Sequence, residues 1–240
     1  MSIAVADPIE VAGVSKNFGS FVALHQISFS IPQGCMALMA GSNGAGKSTL
    51  LRLLAGLGRP SSGRIHVNGA DPVRTASVRR RIGLLSHYSM LYEELTAAEN
   101  LHFAARLYGL PERDRRIDDA LEGAGLLGRA NHRVRNFSRG MKQRLALTRA
   151  TLHEPSILLL DEPFSGLDQR AAEWLTDQLR EILVRGCSGV LVTHQMESAV
   201  QITDRLLILR RGRICFDAPW ERGNLHGLTA TYREFMDDNL

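Results

Sequence analysis

Residues 41–49 read Gly-Ser-Asn-Gly-Ala-Gly-Lys-Ser-Thr and fit the pattern G-x-x-x-x-G-K-[ST] at every fixed position. The chemistry is that of a polyphosphate cradle. Glycines at 41, 44 and 46 let the backbone turn tightly with its N–H groups inward, and a helix opening near Lys47 adds the positive end of its dipole. Lys47 reaches the β and γ phosphates, Ser48 presents a hydroxyl to a bridging Mg2+, and Thr49 bonds a phosphate oxygen nearer the nucleoside. Ser42, Asn43 and Ala45 complete a loop whose main chain does most of the holding.

A second group of chemically capable residues closes an apolar run. Residues 157–160 are Ile-Leu-Leu-Leu, followed by Asp161, Glu162 and Pro163. Such a run reads as a buried parallel strand that delivers two carboxylates at its C-terminal end, where open α/β sheets bind ligands. Asp161 can hold the Mg2+ through a water, and Glu162 is placed to orient or deprotonate the water that attacks the γ-phosphorus.

The elements that must position these residues follow from periodicity. Residues 35–40 form the strand before the loop, and Leu50, Leu51, Leu53 and Leu54 follow it at helical spacing. Residues 9–15 and 21–31 alternate around Gly19-Ser20, as in an antiparallel hairpin with Phe18 at its turn. Strands are expected at 64–69 and 82–86. From about 96 to 153 the pattern turns helical: Thr96 with Glu99 forms a capping box, Gly109-Leu110-Pro111 ends that helix, a second spans roughly 115–127, and a third begins after Ser138. The α/β pattern resumes with a helix carrying Trp174 to Leu183, a strand at 189–193, a helix at about 196–202 and a hairpin turning at Arg211-Gly212. Residues 218–240 give no strong signal.

Bulk properties exclude several classes. With 240 residues, 44% hydrophobic and 22% charged, the chain fits one α/β domain of ordinary globular composition. No apolar run approaches the roughly 18 residues of a membrane span, and residues 1–8 lack the basic and apolar regions of a secretion signal. Cys35, Cys187 and Cys215 are scattered, which argues for reduced thiols rather than a disulfide framework or zinc site. A net charge of +4 is mild, and the arginine clusters at 79–81 and 113–116 read as solvated helix faces, so no nucleic acid partner is expected.

With these motifs in this order, the chain resembles the ATP-binding cassette ATPases, the nucleotide-binding subunits of ABC transporters. Residues 137–141, Phe-Ser-Arg-Gly-Met, stand where that family has its L-S-G-G-Q signature; Ser165-Gly166-Leu167-Asp168 resembles the D-loop, and Thr193-His194 the switch histidine. The resemblance implies an α/β P-loop NTPase fold over residues 1–240, with a RecA-like core, an N-terminal antiparallel β subdomain and a helical subdomain inserted at about 96–153. It further implies ATP and Mg2+ as cofactors, and a head-to-tail homodimer with two ATP at the interface. In that dimer Ser138, a good helix N-cap, and the Gly140 N–H would face the partner's phosphate, and Asp168 would bridge the seam. Arg139 and Met141 depart from the family's usual Gly and Gln. Phe18 would stack on adenine and His194 would contact the γ-phosphate. His87 occupies the place of the Q-loop glutamine, which reaches metal and attacking water, a role imidazole can take only when neutral.

His87 with residues 94–103 and 193–195 also resembles the CcmA subunits of cytochrome c maturation, a haem exporter-like group. A general drug or lipid exporter and a soluble ABC ATPase are the alternatives. The transporter reading implies a cytoplasmic chain, peripheral on the inner face of the cell membrane, that drives a separate permease docked near residues 87–96.

Overall fold

The computed structural model describes residues 7–86 and 90–237. His87, with Tyr88 and Ser89, lies outside the described residues, so the expectation placed on that histidine has no structural counterpart here.

The N-terminal hairpin forms as its alternation requires. Strand β1 (Ile9–Phe18) pairs antiparallel with β2 (Phe21–Ile31) and, on its other edge, with β4 (Ser62–Val67), giving a three-stranded sheet in the order β2-β1-β4. A second sheet has six strands. They are β3 (Met36–Ala40), β5 (Ile82–Leu85), β6 (Ile157–Asp161), β7 (Ser188–Val192), β8 (Arg205–Arg210) and β9 (Arg213–Pro219), in the order β5-β6-β7-β3-β8-β9. Every pair is parallel except β8 with β9, which the turn at Arg211-Gly212 joins as a hairpin.

The central strands are buried on both faces, and their period of two divides one apolar run between two cores. Ala37, Met39, Ile157, Leu159, Val190 and Val192 face the core shared with the antiparallel sheet and helix α1 (Lys47–Leu54). Met36, Leu38, Leu158, Leu160, Leu191 and Ile208 face the opposite core, under α6 (Gln169–Val184) and α8 (Leu225–Asp237).

Three helices carry most of a third core, containing Leu101, Ala104, Ile117, Leu121 and Leu145. They are α3 (Ala97–Tyr108), α4 (Arg113–Gly123) and α5 (Arg139–Thr151); the short helices α2 (Ala76–Arg79) and α7 (Met196–Ala199) complete the set. The Thr96–Glu99 capping box is present in both directions, and Gly109 ends α3 in the left-handed conformation.

Most strand ends shift by a few residues from the sequence reading, and the helices differ more. Helix α4 ends at Gly123 rather than near 127, because Gly125 at φ 66° breaks it and residues Leu127–Arg129 form a separate 3-10 turn. Helix α7 stops at Ala199. The C-terminal stretch, which gave no strong signal, folds as α8, whose Leu228 is fully buried and whose Tyr232, Phe235 and Met236 pack on the same core. None of the helices among the described residues is long and apolar enough to cross a membrane.

Candidate functional site

Strand order explains why residues more than a hundred positions apart meet. The parallel register places Met39 of β3 beside Val192 of β7, and Val192 beside Asp161 of β6. Within two residues of these positions each strand leaves the sheet on the same edge. The exits become the glycine loop, Glu162, and Thr193-His194, so a buried three-strand platform delivers all three to one C-terminal edge.

The loop's glycines are required by contact as much as by dihedral. Gly41 has φ 151° and a Cβ there would overlap the Leu209 carbonyl; Gly46 has φ 108° and a Cβ would come within 2.7 Å of both the Ala23 carbonyl and Leu24 Cδ2. Gly46 is also the N-cap of α1 and supplies no side-chain partner, which leaves the first N–H groups of that helix directed at the cavity. Lys47 is only 7% exposed, and its ammonium donates to the carbonyls of Gly41 at 2.6 Å and Ser42 at 2.8 Å. Burial lowers its pKa, and the charges of Glu162 and then Asp161 oppose that effect.

Opposite the loop, Glu162 adopts φ 53°, a conformation disfavoured for a residue with a side chain. Its N–H donates to Val192 O at 2.8 Å, and its Oε2 accepts the His194 backbone N–H at 3.2 Å. The His194 ring bridges the two walls: Nε2 lies 3.1 Å from Asn43 Oδ1 and 3.5 Å from Glu162 Oε1. An Nε2–H on this ring faces both an amide oxygen of the loop and the carboxylate.

These groups line one cavity of about 570 Å³. Of the residues expected from the sequence, its walls include Asn43, Gly44, Gly46, Lys47, Ser48, Thr49, Asp161, Glu162 and His194. Gly41, Ser42 and Ala45 shape the loop from behind. Ser48 from the loop and Asp161 from the strand end both line the cavity, and these two hard oxygens are the sparse protein donor set that suits Mg2+ when phosphate and water complete its octahedron. Among the described residues no cluster of three His, Cys, Asp or Glu side chains forms a metal cage of its own. A larger groove of about 790 Å³ lies between α4, α5 and α6, but carries none of the loop or strand-end residues.

Phe18, Ser138, Gly140 and Asp168 are not among the cavity's lining residues. Phe18 is 56% exposed with the Lys16 ammonium 5.0 Å from its ring centre, while its cross-strand partner Phe21 does line the cavity and is 63% exposed. Ser138 caps α5, accepting the Met141 N–H at 3.3 Å, and Asp168 caps α6, accepting the Ala171 N–H at 2.8 Å. Phe21, Ala23, Val192, Gln195 and Ser165 line the walls without having been expected there, Ser165 having entered only as the first residue of the D-loop-like segment. A signal existed for the last two: each sits one to three residues from a strand-end acid or histidine.

Comparison with known proteins agrees with this geometry. Residues 24–165 match the family model described as ABC transporter. The Nod factor export ATP-binding protein I of Rhizobium johnstonii is 42% identical over 209 residues, covering 85% of this chain and 67% of that protein. The sulfate/thiosulfate import ATP-binding protein CysA of Mycobacterium tuberculosis is 38% identical, over 86% of this chain and 60% of that protein. This chain thus spans about two thirds or less of those two relatives.

Among solved structures, an ATP-binding subunit of an ABC transporter superposes with a TM-score of 0.84 at 33% identity, over 93% of this chain and 98% of that one. A dimeric ATP-binding cassette in a post-hydrolysis state with ADP and Pi gives 0.78 at 28% identity, over 88% and 98%. With its glycine loop, strand-end acids and His194 gathered on one sheet edge of an ABC ATPase fold, the chain belongs to the ABC transporter family, as one of its ATP-binding ATPase subunits.

Proposed function

We propose that this chain hydrolyses ATP to drive a separate membrane permease, as half of a head-to-tail homodimer on the inner face of the cell membrane. The observation that carries the hydrolytic part is the convergence of Lys47, Glu162 and His194 on one cavity, with His194 held by both Glu162 and Asn43. Lys47 and the loop amides bind the phosphates. Glu162 orients and deprotonates the attacking water, and His194 donates to the γ-phosphate. Ser48 and Asp161 would hold Mg2+, which supplies charge neutralisation between the phosphates.

Ser138 and the α5 N-terminus lie outside the cavity of their own chain, which supports their service to a second copy. The dimeric cassette among the similar structures supports the same arrangement. For the permease, a groove of about 430 Å³ is lined by exposed Met90, Tyr92, Phe103 and Leu107 with Arg79, Arg80 and Arg149 at its edges, adjoining the segment expected to dock the membrane partner. Concentrated apolar surface of this kind is characteristic of an interaction face.

The cargo reading is finer. His87 and residues 94–103 favour a CcmA-like haem exporter. The relative named for Nod factor export, at 42% identity, favours the alternative of a general drug or lipid exporter. Affinity purification of a tagged Glu162→Gln chain from solubilised membranes with ATP present tests both levels. Stoichiometric recovery of a multi-span protein is expected, and its identity chooses between the two cargo classes. Recovery with ribosomes, with nucleic acid or alone would overturn the transporter assignment.

A further inference from the structure

The side chain that departs most from the resembled signature is placed where it can act on the nucleotide site. Arg139 is the first residue of α5, directly after Ser138, and its Nη2 donates to Ser165 Oγ at 3.1 Å. Ser165 lines the cavity. The same guanidinium fills the space above Gly166, φ 69°, so completely that a Cβ there would overlap it. One turn further along α5 on the same face, Gln143 Nε2 donates to Pro163 O at 2.6 Å. Residues 139 and 143 therefore grip, side by side, the segment that begins at Glu162.

A glycine at position 139 would supply none of these contacts, so the upper half of the grip depends on this departure from the resembled signature. We propose that Arg139 is a positioning residue of the ATPase: by holding Ser165 at the cavity wall and covering Gly166, it ties the orientation of the α5 N-terminus to the placement of the segment after Glu162. Movement of α5 against the sheet then displaces Ser165, and disorder of the 162–168 segment loosens α5. Arg is suited to this in a way Lys is not, because a planar fork covers the glycine while one of its N–H groups reaches the hydroxyl.

The inference rests on the ATPase assignment, and the two fail separately. A parent chain without ATP turnover refutes that assignment; a parent that turns over while its Arg139 variants behave identically refutes this one. The experiment measures kcat and KM for ATP with nucleotide affinity and Tm, on the full chain, for Arg139→Gly, Ser165→Ala and the double variant. Expected is a kcat lowered about fivefold in each single variant, on the order of 1 kcal/mol as for one hydrogen bond, with KM, affinity and Tm near the parent. The double variant should lose no more than either single one. Arg139→Lys should recover part of the kcat, and Gly166→Ala should lower kcat in the parent background and much less in Arg139→Gly. A parent-like kcat in Arg139→Gly, or multiplying losses in the double variant, would overturn the proposal.

Discussion

His153, at the start of the turn between α5 and β6, should make the fold sensitive to mild acid. Its ring stacks on Tyr108 with centroids 3.8 Å apart and planes 3° from parallel, and Nε2 donates to Ile82 O at 3.2 Å. Nδ1 is buried and has no partner among the described residues. The imidazole pKa is lowered to about 4, chiefly by burial; the hydrogen bond to the Ile82 carbonyl opposes the shift and the Arg149 charge adds to it. Above pH ~6.5 the ring is neutral in both folded and unfolded chains, so it contributes nothing to pH dependence. Between about 6.5 and 4 the unfolded chain binds the proton and the folded one does not, so stability is lost as pH falls through that window. Two-state linkage gives about 2 kcal/mol from pH ~7.5 to pH ~5, and solvent screening of a partly exposed ring reduces this to about 1 kcal/mol. Urea unfolding of the parent and of His153→Phe, which keeps the stacked ring without a titrating nitrogen, measures the effect as a difference between two pH slopes. The parent should lose about 1 kcal/mol more than the variant over the window. Parallel slopes would refute the reasoning, because carboxylates common to both chains cannot produce a difference.

Two further outcomes follow from the site. Gly46→Ala forces a Cβ to within 2.7 Å of the Ala23 carbonyl at a φ that side chains avoid; nucleotide affinity, read by fluorescent ATP analogue titration, should fall by more than about tenfold. Ser138→Ala removes the oxygen that caps α5. It should cost about 1 kcal/mol, or some 2–4 °C in Tm by calorimetry, while ATP affinity of the single chain stays at the parent value and dimer-dependent turnover drops.

The site was legible in one dimension and not in two. Each chemical group announces itself locally, as an apolar strand that ends in glycines, in Asp161-Glu162 or in Thr193-His194. What no window of sequence contains is the order β6-β7-β3, which sets strands from both ends of the chain side by side and turns three local exits into one cavity wall. Phe18 and Phe21 illustrate the same gap. They flank one turn and pair across it, yet Phe21 borders the cavity and Phe18 does not, a difference that local spacing does not encode. Helix α8 was hidden for a different reason. Leu225, Leu228, Tyr232 and Phe235 have helical spacing and Asn224 caps the first turn by accepting the Gly227 N–H, but Gly227 weakens the local propensity that would have exposed the pattern. Tertiary burial of Leu228 outweighs it.

The conformation of Glu162 shows what the surrounding fold is asked to hold. A carboxylate-bearing residue at φ 53° costs on the order of 1–3 kcal/mol relative to an extended one, and nothing within the residue itself offsets that. The offset is distributed over its neighbours. The Glu162 N–H is fixed to Val192 O, Gln143 and Gln195 donate to the next two carbonyls at Pro163 and Phe164, the Phe164 ring is fully buried, and Asp168 anchors the far end as the cap of α6. Each tie comes from a different element: β7, α5, the β7–α7 turn and α6. A strained carboxylate held from four elements can be aimed at the glycine loop with little freedom to move, which is the condition for orienting a water against a phosphorus atom. Gln143 of α5 and Gln195 at the start of α7 tie the two residues that follow Glu162, so a displacement of either helix reaches the strained carboxylate through Pro163 and Phe164. On the role proposed for Glu162 in orienting the attacking water, this is where motion of the helices becomes a change in hydrolytic competence.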